Sequence, residues 1–314
     1  MVLALLFLAA LAAAGAGLLL FTILTVRQVE AALPPSGRFI DVPGARLHVV
    51  ERGRGTGLLL LHGLSGNLCH YTYGVFDALA ADFRVVAVDR PGSGYSVRAP
   101  GASAALAEQA DVMAALIDTL GLGRTIVVGH SLGGALALAL AQRHPERIAG
   151  LALIAPLTHA VDRAPAAFKG LAIRAGWLRT LVAWTVAVPM AVVRGAELVQ
   201  RVFAPDAVPR DFAKRGGGLL ALRPDNFIGA CADLSAIPED LPGITARHAA
   251  LQLPVDILYG REDSILDPLE QGDAFAATVP GARLTLIDGG HMLPITAPQC
   301  TVRFIRESAS RALG

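Results

Sequence analysis

The sequence predicts an α/β protein: a mostly parallel sheet covered by helices on both faces. Three observations carry this. Short leucine-rich or β-branched runs alternate with longer helical stretches after residue 37. One run passes through a glycine-flanked serine straight into an alanine-rich helix, the strand–turn–helix arrangement of such sheets. The alternation lapses once, between Leu157 and about Leu251, where apolar residues recur only at helical spacing, the pattern of a helical cap lying over the sheet. The expected order is an apolar anchor at 1–27, a linker at 28–37, a core at 38–156, a cap at 157–250 and the rest of the core at 251–314.

Eight strands are expected, near 39–42, 46–51, 58–61, 85–89, 125–128, 148–154, 255–259 and 284–287. Ser103 suits the N-cap of a helix running to Leu120 and stopped by Gly121, and Leu132 opens another that ends at Arg143, before Pro145. Within the cap, Gly216-Gly217-Gly218 reads as a flexible run.

The anchor follows from the first 26 residues, which carry no charge and of which 22 are apolar. As a helix they reach about 39 Å, against a hydrocarbon core of about 30 Å. A cleaved signal peptide is the rival reading, but it wants a basic start, a shorter apolar run and a small-x-small site, and Val29-Glu30-Ala31 is a poor one. A retained single-pass helix in contact with membrane lipid is the expectation. Arg27, Arg38, Arg46, Arg52 and Arg54 follow it, so the positive-inside rule places the folded part in the cytoplasm.

Composition excludes other classes. The chain has 314 residues, net charge +1, 54% hydrophobic and 17% charged residues, and three cysteines. That is too apolar for disorder, too neutral for a nucleic-acid surface and too cysteine-poor for a disulfide scaffold. Cys69, Cys231 and Cys300 have no metal-ligand spacing and read as packing residues; no metal or cofactor is expected.

The chemistry gathers at strand ends. In Gly129-His130-Ser131-Leu132-Gly133 a sharp turn between strand and helix holds Ser131 out above the sheet, with the helix N-terminus presenting free N–H groups beneath it. A serine hydroxyl is a weak nucleophile and needs a base that is itself oriented. His291, in Asp288-Gly289-Gly290-His291 just past the last strand, is the best-placed base among eight histidines. Asp263, shortly after the penultimate strand, is the favoured acid; Asp267 and Glu262 in the same loop are its rivals, and Asp267 before Pro268 also reads as a helix N-cap. The oxyanion hole would use the backbone N–H of Leu132 and of Leu64, from His62-Gly63-Leu64-Ser65-Gly66.

Together, Leu60-Leu61-His62-Gly63, Asp89-Arg90-Pro91-Gly92-Ser93-Gly94-Tyr95-Ser96, the serine turn and Gly290-His291 make the chain resemble the α/β-hydrolase superfamily over roughly residues 38 to 310. The resemblance implies an eight-stranded sheet, a cap after the sixth strand and serine hydrolase chemistry. The Asp-Arg-Pro-Gly run also resembles epoxide hydrolases and haloalkane dehalogenases, but those carry aspartate where this chain has Ser131. A further departure follows the histidine: Met292-Leu293-Pro294-Ile295-Thr296 lacks the acidic residue the family often has there.

The expected activity is therefore hydrolysis of carboxylic esters of apolar or lipid-like substrates. A carbon–carbon bond hydrolase or lactonase would use the same residues, and a non-catalytic binding protein could keep the same fold. Within the cap, the uncharged run from Thr180 to Val193 reads in three ways: as packing against the sheet, as an apolar acyl tunnel, or as a surface that dips into the bilayer with Arg174, Arg179 and Arg194 near lipid phosphates.

Overall fold

The computed structural model describes residues 1–161 and 165–314. A long helix, α1 (Val2–Ala32), leads into a sheet made of β1 (Arg38–Val42), β2 (Ala45–Arg52), β3 (Gly57–Leu61), β4 (Arg84–Val88), β5 (Val97–Arg98), β6 (Thr125–His130), β7 (Ile148–Ile154), β8 (Val255–Gly260) and β9 (Arg283–Ile287). The order across the sheet is β1-β2-β4-β3-β6-β7-β8-β9. Only β2 runs against its neighbours in this path, and the six strands from β4 to β9 pair in parallel. β3, β6, β7 and β8 are buried along their whole length, as strands covered on both faces must be. Their side chains alternate between two cores: Leu59, Leu61 and Val127 face one, Leu58, Leu60 and Val128 the other.

This order creates the place where a site forms. From β3 the chain passes to β4 on one side, and later inserts β6 on the other. The carboxyl ends of β3 and β6 thus lie side by side, with Leu61 paired to Gly129, at a topological switch point. The loops beginning at His62 and at Ser131 open into the same crevice.

Several sequence expectations are corrected. The sheet holds a ninth strand, β5, whose two residues pair with the edge of β2; it is too short to show alternation. α1 does not give way to a linker at residue 28: nothing before Pro34-Pro35 breaks the helix, and it runs to Ala32. Its end is pinned, since Arg223 pairs with Glu30 at 2.9 Å and the Tyr95 hydroxyl donates to Leu33 O. Ser103 does not cap the helix Leu106–Leu120. Ala105 holds that position, and the first free N–H, that of Leu106, donates to Asp240 Oδ2 at 2.7 Å from the cap. Ser103 instead closes the preceding turn by accepting from the Ala105 N–H.

Between Leu157 and Leu251 the described residues form helices and loops only. One continuous rod runs from Gly176–Val182 through a π turn at Ala183–Ala187 into Val188–Phe203; another spans Pro224–Thr245. Gly216-Gly217-Gly218 is not a loose run: Gly216 and Gly217 are buried, and Asn67 Nδ2 donates to Gly217 O. The run from Thr180 to Val193 packs inward at Ala183 and Val188, which are buried, and turns most of its large apolar side chains outward. Leu181, Val186, Met190, Val192 and Val193 are all exposed, and the cavity described below is walled by other segments.

Candidate active site

Ser131 sits at φ 55° and ψ −121°, a conformation that costs a non-glycine residue of order 1–3 kcal/mol and persists only where its surroundings impose it. They do so here through hydrogen bonds. Ser131 N donates to Ile154 O at 3.0 Å, and Ser131 O accepts from Gly134 N and Leu157 N. Close packing explains the neighbouring glycine: a Cβ on Gly133 would stand 2.2 Å from Leu61 O. The turn therefore lets the helix Leu132–Arg143 press against the end of β3.

The loop after β9 brings the base. His291 is 2% exposed, and its Nδ1 donates to Asp263 Oδ2 at 2.7 Å. Asp263 is held in turn, its Oδ1 accepting from the N–H groups of Ile265 and Leu266. The rivals lie elsewhere. Asp267 Oδ1 caps its own short helix through Leu269 N, and Glu262 accepts from Gly289 N, which braces the histidine loop. With Nδ1 engaged, His291 keeps Nε2 for the reaction. Ser131 Oγ makes no hydrogen bond among the described residues; in the absence of substrate such contacts are commonly long and tighten on binding.

His130 ties the serine turn to the histidine loop. Its Nε2 donates to His291 O at 3.0 Å, and the two rings lie 4.9 Å apart. Burial, with the adjacent His291, keeps His130 neutral by lowering its pKa well below the usual value. After His291, the missing acidic residue is replaced by packing: Met292 and Ile295 fill a small apolar cluster with Phe203 and Phe212 from the cap.

Leu64 and Leu132 both line the crevice at Ser131. Neither backbone N–H donates to a protein group among the described residues, so both remain for an incoming oxygen. The peptide joining Gly63 to Leu64 is fixed by a residue that the sequence pattern did not single out. Arg90 is wholly buried; its Nη2 donates to Gly63 O at 3.1 Å and its Nε to His62 O at 2.9 Å. Because Gly63 O and the Leu64 N–H belong to one planar unit, holding the carbonyl aims the N–H. His62 completes the clamp, with Nδ1 donating to Gly63 O and Nε2 accepting from Arg90 N. Burial and the Arg90 charge push its pKa well below the usual value, which suits a neutral ring with one donor and one acceptor.

Arg90 reaches across to the cap as well. Nη1 donates to Asp233 Oδ2 at 2.8 Å, and Arg98 binds the other oxygen of Asp233 at 2.9 Å. Asp89, next in sequence, ties its own loop together through Leu68 N, Tyr95 N and His48 Nδ1. Gly94 must be glycine for this, since a Cβ there would lie 2.1 Å from the Asp89 carboxylate. The motif Asp-Arg-Pro-Gly was legible; the contacts of Arg90, made with a residue 143 positions away, were not.

Above Ser131 opens a cavity of about 360 Å³. Its cap-side wall includes Phe168, Ala172, Leu234 and Ile237, and Leu266 closes the side next to Asp263. Among the described lining residues only Ser131, Arg174 and Ser235 bring polar side chains. This is a mostly apolar chamber with one serine at its base and one guanidinium at its wall. No cluster of metal-ligating side chains is found among the described residues.

Comparison with known proteins agrees with the fold. The chain is 31% identical over 282 residues, 86% of its length, to the dihydrolipoyllysine-residue acetyltransferase component of the acetoin cleaving system of Pseudomonas putida, of which the match covers 68%. It is 28% identical to a 2-hydroxy-6-oxononadienedioate/2-hydroxy-6-oxononatrienedioate hydrolase of Burkholderia vietnamiensis, over 83% of this chain and 89% of that one. Among solved structures, a thermophilic esterase from Thermogutta terrifontis superposes with a TM-score of 0.72 at 26% identity, covering 88% of this chain and 99% of its own. The enol-lactonase from Burkholderia xenovorans LB400 shares the fold, with a TM-score of 0.70 at 23% identity, over 87% of this chain and 100% of its own. The alpha/beta hydrolase fold profile matches residues 57–298, which is most of the chain, and the chain belongs to that family.

Proposed function

We propose that this protein is a membrane-anchored serine hydrolase of the carboxylesterase or lipase type, cleaving esters of apolar or lipid-like acids. The observation that carries the reading is the buried 2.7 Å His291–Asp263 contact, together with Ser131 on a strained turn that lines an apolar cavity. In the first half-reaction His291 Nε2 takes the Ser131 proton as Oγ bonds to the ester carbonyl carbon. The negative oxygen is held by the Leu64 and Leu132 N–H groups. The carbon–oxygen bond to the alcohol then breaks, and His291 returns the proton to the departing alkoxide. In the second, His291 takes a proton from water, hydroxide displaces Oγ from the acyl carbon, and Ser131 recovers its hydrogen. Asp263 orients the ring and stabilises the imidazolium in both.

The apolar lining favours uncharged acyl groups, and α1 supports delivery from a membrane. α1 is long and apolar enough to cross one, with exposed leucines along its first turns, and the Glu30–Arg223 pair ties it to the folded domain. On this reading α1 is a retained single-pass anchor, with the catalytic domain on the cytoplasmic side. A series of p-nitrophenyl esters tests the proposal. We expect kcat/KM to rise from acetate to medium-length acyl chains; a preference for acetate would contradict it.

One observation favours a second reading. Arg174 is the one cation among the described lining residues, and it could hold a substrate carboxylate. A carbon–carbon bond hydrolase or a lactonase would then use the same three residues, consistent with the names of two of the similar proteins. Turnover of a carboxylated dienol-ketone faster than of any neutral ester would select it.

A further inference from the structure

The second rod of the cap, Gly176–Phe203, is also long and apolar enough to cross a membrane, yet it lies against the folded domain. Most of such a helix would be buried in a water-soluble hydrolase. Here Trp177 is 72% exposed and Val193 is 79% exposed, and Leu181, Val186 and Met190 between them are also open. The spacing places them on one face. Trp177 to Leu181 is one α turn; Leu181 to Val186 takes the extra residue of the π turn at Ala183–Ala187; Val186 to Met190 and Met190 to Val193 are α spacings again. The π turn thus keeps an apolar stripe aligned over about 24 Å that a plain α-helix would rotate away. Cations stand at both ends, Arg174 just before Trp177 and Arg194 just after Val193.

What covers the stripe is indicated by its neighbour. α1 packs along this rod and against Gly218–Leu222, and on it Thr22 is wholly buried and Leu18 half-buried. On its free side, the same stretch of α1 exposes Leu20, Phe21 and Leu24. These residues belong to the uncharged stretch that any membrane holding α1 must take in, on the helix that packs against the rod. Lipid around that part of α1 therefore reaches the stripe as well.

We infer that the apolar face of Gly176–Phe203 is a second membrane contact, lying in the bilayer interface against lipid acyl chains, with Arg174 and Arg194 at the level of the phosphates. The inference rests on the reading of α1 as a membrane helix. Its consequence is a fixed pose: two contacts hold the cap on the membrane. The cavity wall formed by Phe168 and Ala172 leads directly into the docked rod, so an apolar substrate enters from the bilayer side.

The chain carries its own probe, because its only two tryptophans, Trp177 and Trp184, both lie on this rod. The full-length protein is reconstituted in phosphatidylcholine vesicles, plain or brominated on the acyl chains, and recovered by flotation. In the Trp184→Phe variant the remaining Trp177 should lose about half or more of its emission in brominated vesicles, as expected for a side chain reaching the acyl boundary. In the Trp177→Phe variant the half-buried Trp184 should lose less. The unsubstituted protein reports the same contact without any variant. Protein that floats with vesicles but shows no quenching overturns the docking of the cap and leaves α1 as an anchor; this is also the outcome if a second copy covers the stripe. Protein that does not float overturns the anchor reading, and the docking with it.

Discussion

The floor and the roof of the cavity are built on opposite physical plans. The floor is made of strand ends, a strained turn and buried polar groups that satisfy one another: Arg90 with Gly63, His62 and Asp233, and Asp263 with His291. The roof is made of helices, one of which, Gly176–Phe203, turns a large apolar face outward. A buried hydrogen-bonded network has one low-energy arrangement, because breaking it leaves desolvated polar atoms without partners. Apolar helix contacts tolerate many. On the proposed function the difference gives chemistry to the floor and substrate choice to the roof, joined at Asp233, where the roof helix supplies a carboxylate to the floor's Arg90.

The largest expected effect is on the floor. Ser131→Ala should lower kcat for a p-nitrophenyl ester by on the order of 10⁶, by analogy with other serine hydrolases; a drop of only a few-fold would move the nucleophile elsewhere. Asp263→Asn should cost about 10⁴, because the amide would select the wrong histidine tautomer, whereas Asp267→Asn and Glu262→Gln should change kcat only a few-fold. Equal losses at Asp263 and Asp267 would contradict the geometry.

The junction comes next. Asp233→Leu leaves the guanidinium of Arg90 buried without its carboxylate and should cost about 3–5 kcal/mol of stability in urea unfolding. On the roof, Glu197→Gln removes an exposed partner of Arg194 and Arg201 and should cost no more than about 1 kcal/mol. If the two losses are alike, the contrast between the regions fails.

A further contrast is in pH. Burial lowers the pKa of His70 and of His248 to about 4, and those of His62 and His130 well below the usual value. In the unfolded chain these rings bind protons near pH 6.5, while in the fold they stay neutral. Stability is therefore complete above about pH 6.5 and falls as pH drops toward 4, with each histidine adding up to about 1.4 kcal/mol per pH unit. His62 and His130 belong to the floor. His248→Gln, outside it, should flatten the unfolding profile between those limits without moving the kcat of the ester reaction; an unchanged profile would show that His248 takes no part.

The sequence spoke most clearly where structure is local. A strand, a turn and a helix within ten residues announce Ser131, and the order of Asp263 and His291 along the chain follows from the order of strands. What it concealed depends on contacts between distant segments. Ser103 looked like a helix cap because the true partner of that helix end, Asp240, lies in the cap. The first part of the expected linker, residues 28–32, is helical and clamped through Glu30 by Arg223, which no local pattern reveals. Arg90 reads as one letter of a motif, and only the fold shows that it aims the Leu64 N–H. The uncharged cap run left three readings open because periodicity does not tell a face that packs inward from one that faces outward; exposure does.

The central claim is that the floor forms a working nucleophile at Ser131. Labelling with a fluorophosphonate probe tests it most directly, since the probe bonds only to an activated serine. The intact protein should label stoichiometrically and the Ser131→Ala variant not at all. If both label equally, or the intact protein fails to label while folded, the assignment of Ser131, Asp263 and His291 to acyl transfer is wrong.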